Sequence, residues 1–146
     1  MKILSNSPDE TKEIGFRLGR LLKAGDIVGL YGDLGAGKTT MVKGIAKAVG
    51  IDEREIVSAS FTIIAEYETD PPFIHIDLYR IEHGAELDDL GIRSITGGGS
   101  ISVIEWAEKA RGELQEDIIK VGLQTRDEQT REITIEGLDE KDWNHR

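Results

Sequence analysis

The sequence of 146 residues predicts an α/β fold, in which helices flank a mostly parallel central sheet and antiparallel strands are added to that sheet. Three observations support this prediction. Helical and strand-like segments alternate in the first half of the chain, a glycine-rich turn joins one strand directly to one helix, and two alternating segments near the end are typical of a hairpin. The length fits a single domain over residues 1–146, and no linker-like segment divides the chain.

The first predicted element is a helix that begins at Ser7. This serine can cap the helix, Pro8 takes the first helical position, and Glu10 stands three residues after the cap. Apolar residues then recur at helical spacing at Ile14, Leu18, Leu21 and Leu22. The pattern predicts that this helix ends near Gly25.

Strands and one further helix follow. The segment DIVGLYG over residues 26–32 predicts a short apolar strand, and an apolar pattern from Lys38 predicts a helix that closes at Gly50. Three more strands are predicted in FTIIAEYET over 61–69, FIHIDLYR over 73–80 and SISVIEW over 100–106.

The end of the chain is predicted to form a hairpin and a tail. The segments IIKVGLQT over 118–125 and REITIEG over 131–137 alternate like two paired strands on either side of RDEQT. Because a hairpin is antiparallel, these two strands are the predicted antiparallel additions to the sheet. Residues 137–146 are predicted to be a polar, mobile tail.

The turn after the first predicted strand matches the Walker A pattern, Gly32-Asp33-Leu34-Gly35-Ala36-Gly37-Lys38-Thr39. Glycines allow backbone N–H groups to curl around phosphate oxygens, and the following helix directs the positive end of its dipole at the anion. The pattern predicts a P-loop NTPase fold in which Lys38 binds the β and γ phosphates of a nucleotide and Thr39 binds magnesium. The residues predicted to contact the nucleotide here are Leu34, Gly35, Ala36, Gly37, Lys38, Thr39 and Thr40.

Two acidic residues end apolar strands and are candidates for metal binding and catalysis. Asp77 ends FIHID, as a Walker B aspartate does, and is predicted to orient the metal or its water ligands. Glu105 ends ISVIE and is predicted either to bind the metal or to polarise a water molecule. Together with Lys38, these two residues form the predicted catalytic set.

Several polar residues leave their role open. Ser58, Ser60 and Thr62 offer hydroxyls for a contact with the γ phosphate, but a polar turn that enters a strand explains them equally well. His75 lies inside an apolar strand, which is more typical of a core histidine than of a metal ligand. We therefore assign His75 no role from the sequence.

The charge balance bears on partners and location. With 18 basic and 28 acidic residues, the chain has a net charge of −10, which repels phosphate backbones, so strong binding of nucleic acid is not expected. No apolar run approaches the roughly 20 residues that span a bilayer, and no membrane association is expected. The lack of cysteine, and of an apolar signal core near the amino terminus, favours the cytoplasm.

Several classes of nucleotide-binding protein compete. A translation-type GTPase needs a guanine-reading Asn/Thr-Lys-x-Asp motif, which the sequence lacks. A small-molecule kinase of the P-loop fold is the main alternative, although the chain has scattered arginines in place of an arginine-rich lid. The remaining classes are a nucleotide-sensing module without useful hydrolysis and an ATPase that drives a partner protein.

Five motifs favour the last of these classes. The segments GDLGAGKTT, SASFT, HIDLYR, DDLGI and VIEW follow one another at plausible distances. In this set and order the chain resembles the bacterial tRNA threonylcarbamoyladenosine biosynthesis ATPase family, TsaE. The resemblance runs from about Gly25 to Trp106, and its specific parts are DLYR and IEW, because a Walker A motif alone is generic.

The resemblance implies a small ATPase that binds ATP and Mg²⁺ and supports threonylcarbamoylation of adenosine 37 of tRNA. Members of this family do not transfer the group themselves. They act on a complex of two related partner proteins, of the TsaD and TsaB type, one of which carries out the transfer. We therefore expect weak intrinsic hydrolysis that depends on these partners.

The resemblance also implies roles for individual residues. Lys38 and Thr39 correspond to the Walker A lysine and the metal-binding threonine, Asp77 to the family's active-site aspartate, and Glu105 to a magnesium-associated glutamate. Trp106 and Glu108 fall on positions near the nucleotide.

One departure from the family's pattern affects the second motif. The family usually reads Ser-Pro-Thr-Phe where this chain has Ser58-Ala59-Ser60-Phe61. Ser60 keeps a hydroxyl and is still predicted to contact the nucleotide or its metal. The loop, however, loses the fixed φ angle that a proline imposes.

Overall fold

The computed structural model describes residues 1–56, 63–110 and 112–144. The strands within these ranges are β1 (Lys2–Ser5), β2 (Ile27–Tyr31), β3 (Ile64–Tyr67), β4 (Phe73–Asp77), β5 (Ile101–Glu105), β6 (Ile119–Thr125) and β7 (Arg131–Glu136). They form one sheet in the order β1-β7-β6-β2-β5-β4-β3. The adjacent strands β6, β2, β5 and β4 are parallel, whereas β1, β7 and β3 pair antiparallel at the two sides. This arrangement confirms the predicted sheet.

Helices connect and cover these strands. They are α1 (Pro8–Gly19), α2 (Lys38–Ala48), α3 (Gly84–Leu90), α4 (Ile92–Ile95) and α5 (Glu140–Asn144). Short 3-10 helices lie at Glu53–Glu55 and Ala107–Ala110. The longest helix among the described residues, α1, has 12 residues, fewer than the roughly 20 that a bilayer requires.

Helix α1 begins where the sequence predicts and ends earlier. Ser7 Oγ accepts a hydrogen bond of 3.1 Å from the N–H of Glu10, so the predicted cap is present. The helix ends at Gly19 instead of near Gly25. Beyond that point the N–H of Leu22 donates to the carbonyl of Gly19, three residues back, so the last turn is tighter than an α-helix.

Two elements at the ends of the chain are not predicted from the sequence patterns. β1 has four residues and joins the sheet through β7, with Ile3 opposite Ile133. α5 lies within the predicted polar tail, and its Trp143 is buried. Arg17 of α1 donates to the Trp143 carbonyl at 2.8 Å and lies 4.2 Å from the indole centroid, so the described part of the tail packs against α1.

The sheet separates two apolar clusters. On one face, α1 and α2 pack on alternating strand residues such as Val28 and Leu30. On the other face, α3 and α4 pack on residues such as Ile27 and Ile104. The parallel strands are therefore covered on both sides, which agrees with their nearly continuous apolar sequences.

Helices α1 and α2 approach each other closely because glycines line their contact. A Cβ atom at Gly44 would lie 2.1 Å from the carbonyl oxygen of Lys12, and one at Gly15 would lie 2.5 Å from the carbonyl oxygen of Met41. Both distances are far below van der Waals contact. The glycines thus fix the position of α2 on the sheet, and α2 begins at the Walker A lysine.

The parallel strands end at a common edge of the sheet. Asp77, the last residue of β4, is directly beside Glu105, the last residue of β5, and Glu105 is beside Leu30 of β2. The loop that follows β2 leads directly into α2. In open α/β sheets this edge is where ligands bind, so the fold brings the predicted site residues to the expected place.

Candidate nucleotide-binding site

The Walker A residues form a loop between β2 and the first turn of α2. Gly37 caps α2 in the left-handed region, with φ of 102°, which favours glycine. Gly32 has φ of 152°, and a Cβ there would lie 2.5 Å from the carbonyl oxygen of Leu123 on β6. The loop therefore rests directly on the backbone of β6. The unpaired N–H groups at the start of α2 give this end of the helix a partial positive charge.

Lys38 is held inside the loop by backbone oxygens and an indole ring. Its Nζ donates hydrogen bonds of 2.5 Å to the carbonyl of Gly32 and 2.7 Å to the carbonyl of Asp33. Nζ also lies 4.0 Å from the ring centroid of Trp106. Burial lowers the pKa of the Lys38 ammonium, and the negative charge of Glu108 is the largest of the effects that oppose this. The positive charge of Lys38 thus lies where the Walker A pattern predicts phosphate binding.

Thr39, Glu105 and His75 are connected by two successive hydrogen bonds beside the loop. The Thr39 hydroxyl donates to Oε1 of Glu105 at 2.8 Å. The other carboxylate oxygen, Oε2, lies 2.6 Å from Nε2 of His75. Glu105 and His75 are only 2% and 4% exposed, so both carboxylate oxygens are fixed in a region with little solvent.

Asp77 completes a compact group of side chains that could hold a metal ion. One ligand atom each from His75, Asp77 and Glu105 lies within 4.8 Å of the others. Burial and the neighbouring charge of Glu105 raise the pKa of Asp77, while a hydrogen bond from the Tyr79 N–H opposes that rise. Two carboxylates that repel each other in this way would be stabilised by a cation between them.

The oxygen donors of this group fit Mg²⁺. Thr39 offers a hydroxyl, and Asp77 and Glu105 offer carboxylates, which are the hard ligands that Mg²⁺ prefers. His75 holds one oxygen of Glu105 and thereby leaves the other directed at Thr39. The chemistry of the donor set therefore agrees with the predicted metal.

Trp106 adopts a conformation that is rare for a residue with a side chain. Its φ is 58°, in the left-handed region, and such strain is concentrated at functional sites in proteins. Its ring lies 5.3 Å from the Tyr79 ring, and Lys109 donates to the Tyr79 carbonyl at 2.5 Å. The strained turn after Glu105 thus places an indole against Lys38 and an aromatic wall beside the loop.

Most predicted site residues line a single cavity of about 370 Å³. The residues that line it are Leu34, Gly35, Gly37, Lys38, Thr39, Thr40, Asp77, Tyr79, Glu105 and Trp106. Ala36 belongs to the loop but is buried beneath it, and Glu108 is exposed nearby. Ser60 lies outside the described residues, as do Ser58 and Thr62, so its predicted contact stays a prediction.

Two residues of the site have no assigned role in the sequence analysis. His75 is the buried partner of Glu105, and Tyr79 forms part of the cavity wall. The spacing carries a usable signal for His75, because residues two apart on a strand share one face and His75 is two residues before Asp77. Tyr79 follows the end of β4, where periodicity no longer indicates direction.

The chain is similar to a known protein family. A family model described as "Threonylcarbamoyl adenosine biosynthesis protein TsaE" matches residues 5–133. This range includes the Walker A loop and both acidic strand ends. It also extends beyond the segment on which the sequence resemblance rests.

Individual relatives agree with the family match. A protein named tRNA threonylcarbamoyladenosine biosynthesis protein TsaE from Treponema pallidum (strain Nichols) is 38% identical over 135 residues, which cover 92% of this chain and 99% of that protein. A protein of the same name from Bacillus subtilis (strain 168) is 38% identical over 130 residues, which cover 88% of this chain and 80% of that protein. These similarities favour the tRNA-modification interpretation over the small-molecule kinase.

A solved structure supports the fold. The crystal structure of YdiB from Bacillus subtilis superimposes with a TM-score of 0.73 at 32% sequence identity, and the match covers 97% of this chain and 87% of that chain. The similarity confirms the P-loop fold that the sequence predicts.

Proposed function

The chain belongs to the TsaE family of threonylcarbamoyl adenosine biosynthesis proteins, and from this we propose that it is an accessory ATPase of tRNA modification. In this proposal it binds and hydrolyses ATP in the cytoplasm to support threonylcarbamoylation of adenosine 37 of tRNA. A partner complex of the TsaD and TsaB type carries out the transfer itself.

One observation is the main support for nucleotide binding. Lys38 and Thr39, Asp77, and Glu105 come from three separate segments of the sequence and line the same cavity at the Walker A loop. A cation, a hydroxyl and two carboxylates at the start of a helix are the groups that bind and cleave a triphosphate in P-loop proteins. We infer that ATP occupies this cavity with its phosphates at the loop.

Each residue has a role in the proposed site. Lys38 exchanges its bonds to the loop carbonyls for the β and γ phosphate oxygens and neutralises charge that develops there. The N–H groups of the loop and of Thr39 and Thr40 bind phosphate oxygens. Trp106 excludes water beside Lys38, and the negative charge of Glu108 opposes the lowering of the Lys38 pKa that burial causes.

The acidic side chains act around the metal and the attacking water. Thr39, Glu105 and Asp77 would hold Mg²⁺, which supplies positive charge to the transferring phosphate when it is bound. Glu105 also orients the attacking water molecule in this proposal, and His75 fixes the position of its carboxylate. Ser60 is proposed to reach the γ phosphate.

Slow hydrolysis by the chain alone follows from the cations that line the cavity. Among the described residues of the cavity wall, Lys38 is the only basic side chain. P-loop enzymes with high rates use a further cation, such as an arginine finger, which a partner protein can supply. We propose that the partner complex completes the site in this way.

Hydrolysis measured with and without partners tests the proposal. The purified chain, ATP and Mg²⁺ should release phosphate slowly, and addition of both partner proteins should raise the rate by about tenfold or more. Lys38→Ala should be inactive in both conditions and serves as the control. Equal rates with and without the partners would contradict the partner dependence, and no phosphate release in either condition would contradict the ATPase function.

A further inference from the structure

Arg131, at the start of β7, contacts the phosphate-binding loop from the hairpin side. Its Nε donates a hydrogen bond of 3.1 Å to the carbonyl of Ala36, and its Nη2 donates one of 3.3 Å to the carbonyl of Gly35. These residues are 95 and 96 positions away in the sequence. A single side chain therefore connects the C-terminal hairpin to the centre of the Walker A loop.

The same guanidinium also holds the turn of the hairpin. Nη1 donates to the carbonyls of Asp127 at 2.8 Å, Thr130 at 3.1 Å and Glu128 at 3.3 Å. A guanidinium presents its N–H donors in a rigid plane. Arg131 uses this plane to bridge two segments of backbone, and a shorter or more compact donor cannot span both.

The position of Arg131 is fixed by the strand that carries it. It is opposite Thr125 in the hairpin and shares a face of β7 with Ile133 and Ile135, which are buried in the cluster under α1 and α2. The Walker A loop packs against β6, the strand next to β7, because Gly32 lies directly against the carbonyl of Leu123. The β6–β7 hairpin thus supports one side of the Walker A loop.

We propose that Arg131 is a positioning residue for nucleotide binding, which sets the orientation of the Walker A peptides before ATP arrives. In a trans peptide the C=O and the following N–H point in opposite directions. A guanidinium that holds the Ala36 carbonyl therefore directs the N–H of Gly37 away from the hairpin, and Gly37 lines the cavity. The charge of Arg131 also adds positive potential beneath the loop.

This inference rests on the proposed ATP binding, and three variants test it. Arg131→Ala removes both hydrogen bonds that the Arg131 side chain donates to the loop. Arg131→Lys keeps the charge but loses the planar donor set. Arg126→Ala is the matched control, because Arg126 is in the same hairpin and its side chain pairs with Glu132. We expect the dissociation constant for Mg-ATP to rise about tenfold in Arg131→Ala, several-fold in Arg131→Lys, and less than twofold in Arg126→Ala.

Calorimetric titration with Mg-ATP separates positioning from folding. Misplaced peptides raise the dissociation constant while the binding stoichiometry stays near one, and they raise KM more than they lower kcat with the partners present. A purely structural role would instead lower the melting temperature and the stoichiometry, with an unchanged dissociation constant in the folded fraction, and would overturn the proposal. If Arg131→Ala does not fold, Arg131→Lys decides by the same criterion.

The failure of this inference is distinguishable from the failure of the proposed function. A wild-type chain that binds Mg-ATP, together with Arg131 variants of equal affinity, would overturn the positioning role alone. A wild-type chain that does not bind Mg-ATP would overturn both.

Discussion

Glu105 connects the Walker A motif to strand β4 through its two carboxylate oxygens. One carboxylate oxygen accepts from Thr39 of the Walker A motif, and the other lies against His75 of β4. The identity of Glu105 as an acidic strand end is visible in the sequence, but its second partner is not. A buried carboxylate fixed on both oxygens has a defined orientation before any ligand binds.

Glu105→Gln should separate binding from hydrolysis. The amide keeps the size of the side chain and can still bond Thr39 and His75, whereas alanine would leave both without a buried partner. In the proposed mechanism the amide cannot activate water and holds the metal less well, so we expect phosphate release to fall about 100-fold and ATP affinity to change less than about threefold. Single-turnover hydrolysis and equilibrium titration measure the two effects.

Glu116→Gln is the matched control for this experiment, since Glu116 is exposed and does not line the cavity. Its hydrolysis rate should remain within a few-fold of the parent rate. A Glu105→Gln protein that turns over ATP like the parent would show that Glu105 has no part in the chemistry.

At the scale of elements, the contact between α1 and α2 leads to a prediction for stability. Gly44→Ala places a methyl group 2.1 Å from the Lys12 carbonyl and 3.0 Å from the Phe16 nitrogen, so the helices must move apart. We expect a loss of about 3 kcal/mol in the free energy of unfolding, although alanine favours a helix over glycine by about 1 kcal/mol. Urea unfolding measures the change.

Gly84→Ala is the control for this substitution. Gly84 also lies in a helix, but a Cβ there meets no heavy atom of the described chain within 4 Å. Its stability should equal or slightly exceed that of the parent. Equal stability of Gly44→Ala and the parent would mean that the two helices do not pack tightly at Gly44.

The turn of the β6–β7 hairpin leads to a prediction for pH. Hydrogen bonds from the N–H groups of Thr130 and Gln129 lower the pKa of Asp127 below its ordinary value of 3.8. Because the pKa is lower in the folded than in the unfolded state, the carboxylate stabilises the fold fully above about pH 4. This contribution is lost as the pH falls through the folded-state pKa.

Asp127→Asn should therefore be less stable than the parent at pH 7, and the difference should shrink toward pH 3. Urea unfolding at the two pH values measures it, and Glu128→Gln in the same turn is the control. A difference that stays constant or grows on acidification would contradict the assigned cause.

Local patterns predict most of these elements, and their limits have physical reasons. Ser7, Pro8 and Glu10 mark the start of α1 because capping is a short-range interaction. β1 is not predicted, because its four residues gain their order from pairing with β7, more than 120 positions later. The bond between Arg131 and the loop spans 95 positions, so no local spacing reveals it either.

The same distinction applies to the candidate site. The residue types at Lys38, Thr39, Asp77 and Glu105 are predictable, because strand ends and the Walker A spacing are local features. For His75 the spacing indicates only that it shares a face with Asp77, and its bond to Glu105 depends on which strand is the neighbour of β4. Sequence therefore predicts which groups the site contains, and the sheet register determines which groups touch.

At the scale of the whole molecule, the net charge leads to a prediction about direct binding of tRNA. With 28 acidic and 18 basic residues, the overall field repels the phosphates of tRNA, although the family acts in tRNA modification. A protein that gains affinity from phosphate contacts binds more tightly as salt is lowered, because counterions are released. This chain should not behave in that way, since lower salt also strengthens the repulsion.

Fluorescence anisotropy with a labelled tRNA at two salt concentrations tests this expectation. The chain alone should show no saturable binding up to about 10 μM protein at either 50 or 200 mM salt, because typical non-specific binders with basic surfaces reach dissociation constants of about 1–100 μM. The partner complex is measured alone and then with the chain, as a control that the labelled tRNA can be bound. Submicromolar binding by the chain alone that tightens at low salt would contradict the argument from net charge. Such a result would mean that a local basic surface of this chain, and not a protein partner, contacts the tRNA.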